Sequence, residues 1–471
     1  MRKLGVVITD GVGFRNFILS DFLNESEKKF DEVVILSCLP KEAYLEYNHS
    51  AKVVELDVFE ERFATWFFRK LKESAHLRLH RADNFGIDDN YRINQSKANN
   101  PRGFATRLIY HLVSVCHSEK WIRRFDAFQQ ATFKNHKLTR QYRRILRDEK
   151  LNIIFFTHQR PPFIAPLVYA ARKQHIKTAT FIFSWDNLAS KGRMAADFDY
   201  FLVWSELMKR DLLQFYSTVK NGQIAVVGTP QFEPYVLSRY EITKNEFLQK
   251  FKLQISLKTL CYSCGDSSTS KNDELYISII AKAVLENRIN NINFIVRTSP
   301  AESPERFFAI AAEFPFIKWN YPKWVLLRQN HQEAWSQRVP QTDDVIELRA
   351  LAQHSDLNVN MLSTMTLDFM IFDKPVIFPV FGNINNALYN DGRFLEFKHI
   401  KHVLASDAAT VALNETELID AINHMLENPC EKLTQQRQLV ALEMVEPLAE
   451  VSTRFADVLF KFSLDRKFSS K

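Results

Sequence analysis

The sequence contains only 11 glycines in 471 residues, whereas an average protein has about 7 % glycine. Loops that hold phosphates through glycine amides are therefore scarce, and helix ends and side chains must do most of such binding. Cysteine is also sparse, and five scattered residues argue against a disulfide framework and favour a reducing compartment, the cytoplasm. No apolar run approaches the roughly 18 residues that cross a bilayer, so we expect no membrane span.

Hydrophobic residues are plentiful at 46 %, with 25 % charged residues, which is typical of a soluble globular protein. The length exceeds what one hydrophobic core usually serves, so two or three domains are expected. Positive charge is concentrated in one window. Thirteen Lys or Arg and two acids lie between Arg92 and Arg147, a net charge of 13 − 2 = +11, whereas the whole chain carries +7.

Short apolar runs alternate with helical patterns in the first half of the chain. This alternation predicts a parallel, doubly wound α/β sheet. The predicted strands are Leu4–Ile8, Glu32–Ser37, Leu151–Thr157, Thr178–Phe183, Tyr200–Trp204 and Ile224–Val227.

Residues 60–149 interrupt this alternation with aromatic and basic residues at helical spacing, which predicts a helical insertion. One stripe and the cations beside it comprise Phe63, Trp66, Phe67, Leu71, Arg69, Lys70 and Lys72. Two interpretations stay open: a docking surface for an anionic membrane or a lipid-linked acceptor, or core aromatics with a solvated charged rim. Nucleic acid is not favoured, because no binding motif accompanies the charge.

The first strand leads into DGVGFRNF, where Gly11 and Gly13 permit a tight turn into a helix running to about Asn24. Open α/β sheets bind ligands at this edge. We therefore expect Asp10 to be a candidate base and Gly11, Gly13 and Arg15 to form a phosphate or acceptor loop. The GxG pattern lacks a third glycine, and a simple helix cap by Asp10 is the alternative.

Two later strand ends carry further candidates. His158 follows the strand Leu151–Thr157, where a histidine can act as a general base near neutral pH, although polar surface is the alternative. Asp186 and Lys191 lie in SWDNLASKGRM, after the next strand, and are placed to meet an acceptor or a phosphate.

GTPQFEPY, residues 228–235, combines a strand end, two prolines and a glycine, which indicates a domain boundary. We expect a first domain at residues 1–230 and a second at 231–450. The closing segment, 451–471, is expected to be a helix that packs back on the first domain.

The second domain has phosphate-binding candidates at its strand ends. Gly265 and Ser267 lie in a loop of small polar residues after a strand at Thr259–Tyr262. Arg297 ends the strand Asn293–Arg297, and a guanidinium there is suited to neutralising a diphosphate.

Residues 355–380, SDLNVNMLSTMTLDFMIFDKPVIFPV, are typical of a strand, a helix and a second strand. Ser363 and Thr364 fall at the helix start, where free amides and the helix dipole attract a phosphate. Asp368 lies one turn further, where a carboxylate can accept hydrogen bonds from a ribose diol. The pattern predicts a nucleotide site; a capped helix with a solvated Asp368 is the alternative.

GTPQF, RTSP, residues 355–377 and FLEFKHIKHVLASDAATVALNETELIDAIN resemble bacterial surface-carbohydrate glycosyltransferases of the GT-B fold, over about residues 151–459. The resemblance implies two Rossmann-like domains facing a cleft, a nucleotide-sugar donor bound mainly by the second, and no required metal or cofactor. It implies diphosphate contacts from Ser363 and Thr364, ribose contact from Asp368, phosphate support from Arg297, and a position of His399 near the cleft.

The CDP-glycerol glycerophosphotransferases of teichoic acid synthesis share part of this pattern. Ser299 stands where they have a histidine, and SWDN replaces their histidine-glycine element, which weighs against polyol-phosphate transfer. The expected function is transfer of a sugar from a nucleotide-diphosphate donor to a lipid-linked or surface-glycan acceptor at the inner membrane face. Asp10, His158 and Asp186 are the alternative bases. A nucleotide-sugar epimerase, a polyol-phosphate transferase and a non-catalytic membrane- or glycan-binding module are the alternative functions.

Overall fold

The computed structural model describes residues 1–47, 49–289, 291–329, 331, 333–382 and 391–465. The chain forms two compact α/β units. The first contains Met1–Glu233, Leu327–Val339 and Glu443–Lys471, and the second contains Pro234–Leu326 and Pro340–Leu442. Each unit is built on a parallel sheet, so the predicted class of two Rossmann-like α/β domains is confirmed.

The sheet of the first unit has seven strands in the order β3-β2-β1-β4-β5-β6-β7, and all its pairings are parallel. The five inner strands β2, β1, β4, β5 and β6 are largely apolar and buried on both faces, as parallel strands covered by helices must be, whereas the edge strands β3 and β7 are more exposed. They are β1 Lys3–Ile8, β2 Glu32–Ser37, β3 Lys52–Glu55, β4 Ile153–Phe156, β5 Lys177–Phe181, β6 Tyr200–Val203 and β7 Ile224–Val226.

Helices of the first unit fall into those flanking the sheet and those of the insertion. The flanking helices are α1 Gly11–Ile18, α2 Phe22–Glu27, α8 Ala165–Arg172, α9 Asn187–Ser190, α10 Glu206–Phe215 and α19 Val451–Leu464. The insertion contains α3 Phe63–His80, α4 Phe85–Ile93, α5 Pro101–Val115, α6 Glu119–Phe133 and α7 Lys137–Glu149, which confirms the predicted helical insertion.

The closing helix α19 belongs to the core of the first unit. The ring of Phe455 meets those of Phe17, Phe22, Phe155 and Phe181 at centroid distances of 5.6, 6.2, 6.0 and 5.4 Å. Edge-to-face packing at these distances adds to the stabilisation from burial. The C-terminal helix is therefore part of the hydrophobic core beside β4 and β5.

The helix predicted from Gly11 to about Asn24 is instead two helices, α1 and α2. The side chain of Glu233 accepts a hydrogen bond from the amide of Asp21 at 3.0 Å. The Ser20 hydroxyl accepts the amide of Phe22 at 3.3 Å. The amides of Asp21 and Phe22 thus donate to side chains, whereas in a continuous helix they would donate to backbone carbonyls. These side-chain hydrogen bonds explain the break between α1 and α2.

Helix α3 is largely packed, so its aromatic stripe is mainly core. Trp66 and Leu71 are buried, and Lys72 is buried in an ion pair with Asp126 at 2.9 Å. Arg69 pairs with Glu61 and Glu73 at 2.6 and 2.8 Å. Burial of Trp66, Leu71 and Lys72 favours the core interpretation for these residues, whereas Phe63 is 53 % exposed.

The second unit has a six-stranded sheet in the order β10-β9-β8-β13-β14-β15. Its strands are β8 Thr259–Ser263, β9 Asn293–Arg297, β10 Lys318–Asn320, β13 Leu357–Asn360, β14 Val376–Pro379 and β15 Thr410–Ala412; β11 Trp324–Leu326 and β12 Arg338–Pro340 lie where the chain passes between the units. Its helices are α11 Lys244–Lys250, α12 Asp273–Leu285, α13 Phe308–Glu313, α14 Thr342–His354, α15 Met365–Met370, α16 Lys398–Ala405, α17 Glu415–Glu427 and α18 Leu433–Glu443. No helix among the described residues is both long and apolar enough to cross a bilayer.

Candidate functional site

The carboxyl ends of β1 and β4 form the switch point of the first sheet. β2 and β3 continue from β1 on one side, and β5, β6 and β7 continue from β4 on the other. Open α/β sheets bind their ligands where the strand order reverses in this way. Asp10 follows β1 by two residues and His158 follows β4 by two residues, so both side chains lie at this edge.

Asp10 and His158 form a buried hydrogen-bonded pair across the switch point. The His158 Nδ1 lies 2.9 Å from Asp10 Oδ2, although the residues are 148 positions apart. The Phe183 ring stacks on the imidazole at 3.9 Å between centroids. In the part of the chain that the structure describes, nothing hydrogen-bonds to His158 Nε2. The imidazole is therefore held at one nitrogen and available at the other.

The Asp10 carboxylate is itself fixed by two further donors. It accepts the Gly13 amide at 2.8 Å and the Thr9 hydroxyl at 2.8 Å, and it is fully buried. The predicted helix cap is therefore present, together with the contact to His158. A Cβ at position 13 would lie 2.7 Å from the Thr157 hydroxyl, so this tight approach requires glycine.

The pKa values of the pair favour an ionised carboxylate and a neutral imidazole. Burial alone would raise the pKa of Asp10, but the hydrogen bond and charge of His158, with the Gly13 amide, lower it. Burial lowers the pKa of His158 below 6.5, although the bond to Asp10 opposes this shift. The neutral ring donates through Nδ1 and keeps a lone pair on Nε2, which is the arrangement of a general base.

Asp186 lies apart from this pair in its hydrogen bonding. It accepts from Ser190 Oγ at 3.1 Å and from Asn187 Nδ2 at 3.0 Å, and the Lys191 ammonium is 3.5 Å away. These partners belong to α9 and the residue after it. Of the three predicted bases, the structure joins Asp10 with His158, whereas Asp186 is the N-cap residue of α9.

Gly11 is the first residue of α1, and Arg15 lies one turn further along the helix. Gly11 is buried. The Arg15 Nε donates to Asn16 Oδ1 at 3.2 Å. Their predicted phosphate or acceptor contact stays a prediction.

Glu333 is a carboxyl that interacts electrostatically with Asp10, and sequence reasoning missed it. Its segment belongs to the first unit, and the short 3-10 helix Ala334–Gln337 that follows packs on α1. Two residues before Glu333, the His331 ring packs edge-to-face with the Phe163 ring, with 5.5 Å between the ring centroids. Burial raises the pKa of Glu333, and the negative charge of Asp10 raises it further. This carboxyl is therefore biased toward the protonated form.

A polar cavity of about 110 Å³ lies between the insertion and the strand ends of the first unit. Helices α3, α4 and α5 form one wall, and the residues after β4 and α9 form the other. Side chains that can hydrogen-bond a ligand include those of Lys70, Ser74, Asn90, Thr106, Tyr110 and Arg160.

Arg160 links the cavity to His158, which it follows by two residues. Its positive charge contributes to lowering the pKa of His158. Arg193, by contrast, is buried and donates to both carboxylate oxygens of Glu119 at 3.1 and 2.7 Å. Arg160 is exposed, so its guanidinium is accessible to a bound anion.

The phosphate candidates at the first strand ends of the second unit contact acidic side chains. Arg297 donates to both oxygens of Asp344 at 3.1 and 3.0 Å, and it is buried. The Gly265 amide donates to Asp273 at 3.0 Å. The Ser267 amide donates to a glutamate oxygen at 2.8 Å. These carboxylates occupy the donors that would otherwise face a phosphate.

The residues of the predicted nucleotide helix lie at and within α15, which begins at Met365. Thr364 is its N-cap residue but makes no capping hydrogen bond, whereas the Ser363 hydroxyl accepts the Met365 amide at 3.3 Å. Asp368 is buried, not solvated, and accepts a hydrogen bond from the Tyr235 hydroxyl. His399 lies in the first turn of α16, with its ring 5.7 Å from that of Phe397. Their nucleotide contacts stay predictions.

No protein-family model and no curated protein sequence matches this chain. Solved structures do match over nearly the whole length. S. aureus MnaA, in its co-structure with UDP, is 10 % identical with a TM-score of 0.56 and covers 99 % of this chain and 98 % of its own. The UDP-GlcNAc 2-epimerase of Methanocaldococcus jannaschii is 12 % identical with a TM-score of 0.52, over 98 % and 99 %. A glycosyltransferase of Rickettsia africae ESF-5 is 10 % identical with a TM-score of 0.51, over 99 % of both chains. At these identities the similarity shows the fold alone.

Proposed function

We propose that this chain is a metal-independent, cytoplasmic glycosyltransferase that moves a sugar from a nucleoside-diphosphate donor to a hydroxyl of a lipid-linked or surface-glycan acceptor. The observation that carries the proposal is the Asp10–His158 pair at the switch point, with Nε2 available. The fold supports it, because both glycosyltransferases and nucleotide-sugar epimerases are among the similar structures.

His158 is the base of the proposed reaction. Nε2 takes the proton from the acceptor hydroxyl while that oxygen bonds to the anomeric carbon. The bond from this carbon to the diphosphate breaks, and its electron pair leaves with the diphosphate. Asp10 holds the ring through Nδ1 and stabilises the imidazolium that forms. Attack opposite the leaving group inverts the configuration at the anomeric carbon.

The polar cavity is the proposed acceptor site. Hydroxyl and amide side chains such as those of Ser74, Asn90 and Thr106 suit the hydroxyls of a sugar ring. Arg160 supplies a cation for a phosphate, and guanidinium matches phosphate geometry well. An acceptor with a phosphate close to its sugar, as in a lipid-linked glycan, fits this lining.

The donor is proposed to bind the second unit. The sequence resemblance implies diphosphate contacts from Ser363 and Thr364, ribose contact from Asp368, phosphate support from Arg297 and a position of His399 near the donor. Gly265 and Ser267, in a loop of small polar residues, are further candidates. Because one similar structure contains UDP, UDP-sugars are the first donors to test. The ion pair between Arg297 and Asp344 supports a role for Arg297 in positioning β9.

An epimerase acting on a nucleotide sugar is the second candidate. Epimerisation removes a proton from carbon and returns one to the opposite face, which takes two acid–base groups. Glu333, whose pKa is raised by burial and then by the charge of Asp10, is the proposed second group. Similar structures named as UDP-GlcNAc 2-epimerases favour this candidate as well.

Incubation of the purified protein with UDP-GlcNAc alone, followed by proton NMR, separates the two functions. Formation of the C2 epimer without an acceptor would support the epimerase. For a transferase we expect calorimetric binding of UDP or another nucleoside diphosphate, no epimer, and release of the diphosphate only when an acceptor is added. No binding across UDP, ADP, GDP, CDP and TDP would refute both functions.

A further inference from the structure

Helix α5 has an apolar stripe on its outer face. Its members are three or four residues apart and strongly exposed: Phe104 60 %, Leu108 50 %, Leu112 38 % and Val115 79 %. On the opposite face, Gly103, Ile109 and Val113 are buried. A surface helix usually has one apolar face toward the core and a polar one toward water. The outer stripe of α5 therefore indicates a second contact.

Cationic residues predominate around the stripe, and one of them, Arg92, is paired with Asp88 at 2.7 Å. Between Asp89 and Glu119 the sequence has no acidic residue, but it has four cationic residues, Arg92, Lys97, Arg102 and Arg107. The guanidinium of Arg107 lies over the Phe104 ring at 4.4 Å. Apolar side chains flanked by cations are typical of helices that lie in an anionic membrane interface.

We propose that the outer face of α5 docks on an anionic lipid bilayer. The apolar stripe enters the boundary between headgroups and acyl chains, and the exposed Lys97 and Arg102 contact lipid phosphates. The packed stripe of α3 does not supply this surface, since Trp66 and Leu71 are buried in the insertion. The stripe of α5 is short, so binding is reversible and depends on the anionic headgroups.

The inner side of the same helix borders the polar cavity through Thr106, Ile109 and Tyr110. A bilayer against the outer face would therefore lie one helix diameter, about 10 Å, from the cavity. This second step rests on the proposed function: it identifies the acceptor as a sugar phosphate anchored in the membrane by its lipid.

Vesicle flotation tests the docking. We expect the full chain to float with vesicles of 70 % phosphatidylcholine and 30 % phosphatidylserine, to bind pure phosphatidylcholine at least tenfold less, and to be released by 0.5 M NaCl. The double variant Phe104→Ser/Leu108→Ser should lose at least tenfold in bound fraction. Leu285→Ser, an equally exposed leucine on α12 at 61 %, should bind like the unaltered chain.

A second variant tests the charge. Lys97→Glu/Arg102→Glu leaves the apolar stripe intact and should also abolish binding to the anionic vesicles. Light scattering of every variant reports the oligomeric state. A dimer that the Phe104→Ser/Leu108→Ser variant dissociates would overturn the proposal in favour of contact between two copies of the chain.

Equal flotation of the stripe variant and the Leu285→Ser control would also overturn the proposal. The flotation result does not depend on the proposed enzymatic function, because flotation uses no nucleotide. UDP binding by the same variants is measured by calorimetry. Docking without any nucleoside-diphosphate binding would refute the enzyme and leave the membrane surface in place.

Discussion

Replacing Asp10 with Asn tests whether His158 is oriented for catalysis. Asn keeps the size of the side chain and can still accept the Gly13 amide that Asp10 accepts at 2.8 Å. It removes the negative charge 2.9 Å from His158 Nδ1, and its amide group can donate to Nδ1 and favour the wrong tautomer. The change therefore acts on the base and not on the helix cap.

The magnitude follows from the lost interaction. A hydrogen bond to a charged group contributes about 1.5–3 kcal/mol. At about 1.4 kcal/mol per tenfold in rate, this predicts a loss of about 10- to 150-fold in kcat. Removal of the base itself, in His158→Ala, is expected to cost about 10²- to 10⁴-fold.

The assay is acceptor-dependent release of the nucleoside diphosphate, with the donor and acceptor that the binding screen identifies. Because Asp10 acts through His158, the double variant should be no slower than His158→Ala alone, which is the non-additivity expected of residues that act as a unit. Thermal unfolding of each variant controls for loss of fold. Asp186→Asn is the matched comparison, since it changes a carboxylate at another strand end.

A larger loss in Asp186→Asn than in Asp10→Asn would refute the assignment and make Asp186 the base. Full activity of His158→Ala would refute it as well. A loss in Asp10→Asn that simply adds to that of His158→Ala would show that the two residues act independently.

Three further predictions concern pH and ligand binding. Because burial lowers the pKa of His158 below 6.5, the acid limb of the pH–rate profile of kcat should have its midpoint below pH 6.5; a midpoint above 6.5 would contradict this. Arg160→Ala should raise KM for a phosphate-bearing acceptor about tenfold with little change in kcat, whereas the exposed Arg123→Ala should change neither; steady-state kinetics with the phosphorylated and unphosphorylated acceptor checks it. Burial raises the pKa of Glu443 from 4.5 to about 8, so the stability that its neutral form provides at acid pH is lost as pH rises between these values. Glu443→Gln should therefore raise Tm at pH 8 by several degrees, as calorimetry would show, and leave it nearly unchanged at pH 4.

Strands were predictable because parallel strands buried on both faces are continuous apolar runs. β2 and β9 have the predicted bounds, and β1 and β8 each differ by one residue. β3 was not predicted, since Lys52–Glu55 is polar at both ends and its side chains are exposed or half-buried. The break between α1 and α2 was also missed, because it depends on Glu233, which is 212 residues from Asp21 along the chain.

The sequence identifies candidate residues at strand ends individually, but it does not predict which of them contact each other. That a parallel sheet places β1 beside β4 is a property of strand order, and only this order brings Asp10 to His158. For the same reason, the pairing of Arg297 with Asp344 in the second unit could not be predicted. Arg297 was selected because it ends a strand, whereas its partner Asp344 lies in α14 and gives no local signal.

Glu333 shows where local reasoning ends. Its segment, Leu327–Val339, lies in the sequence between two parts of the second unit, yet it belongs to the first. Neither hydrophobic period nor turn chemistry marks such a return of the chain. Its carboxyl becomes chemically distinctive only through burial and through Asp10, which is more than 300 residues away. If Glu333→Gln abolishes epimer formation while leaving acceptor-dependent transfer intact, the two candidate functions differ by this one group. If it abolishes neither, Glu333 is not an acid–base group of either reaction.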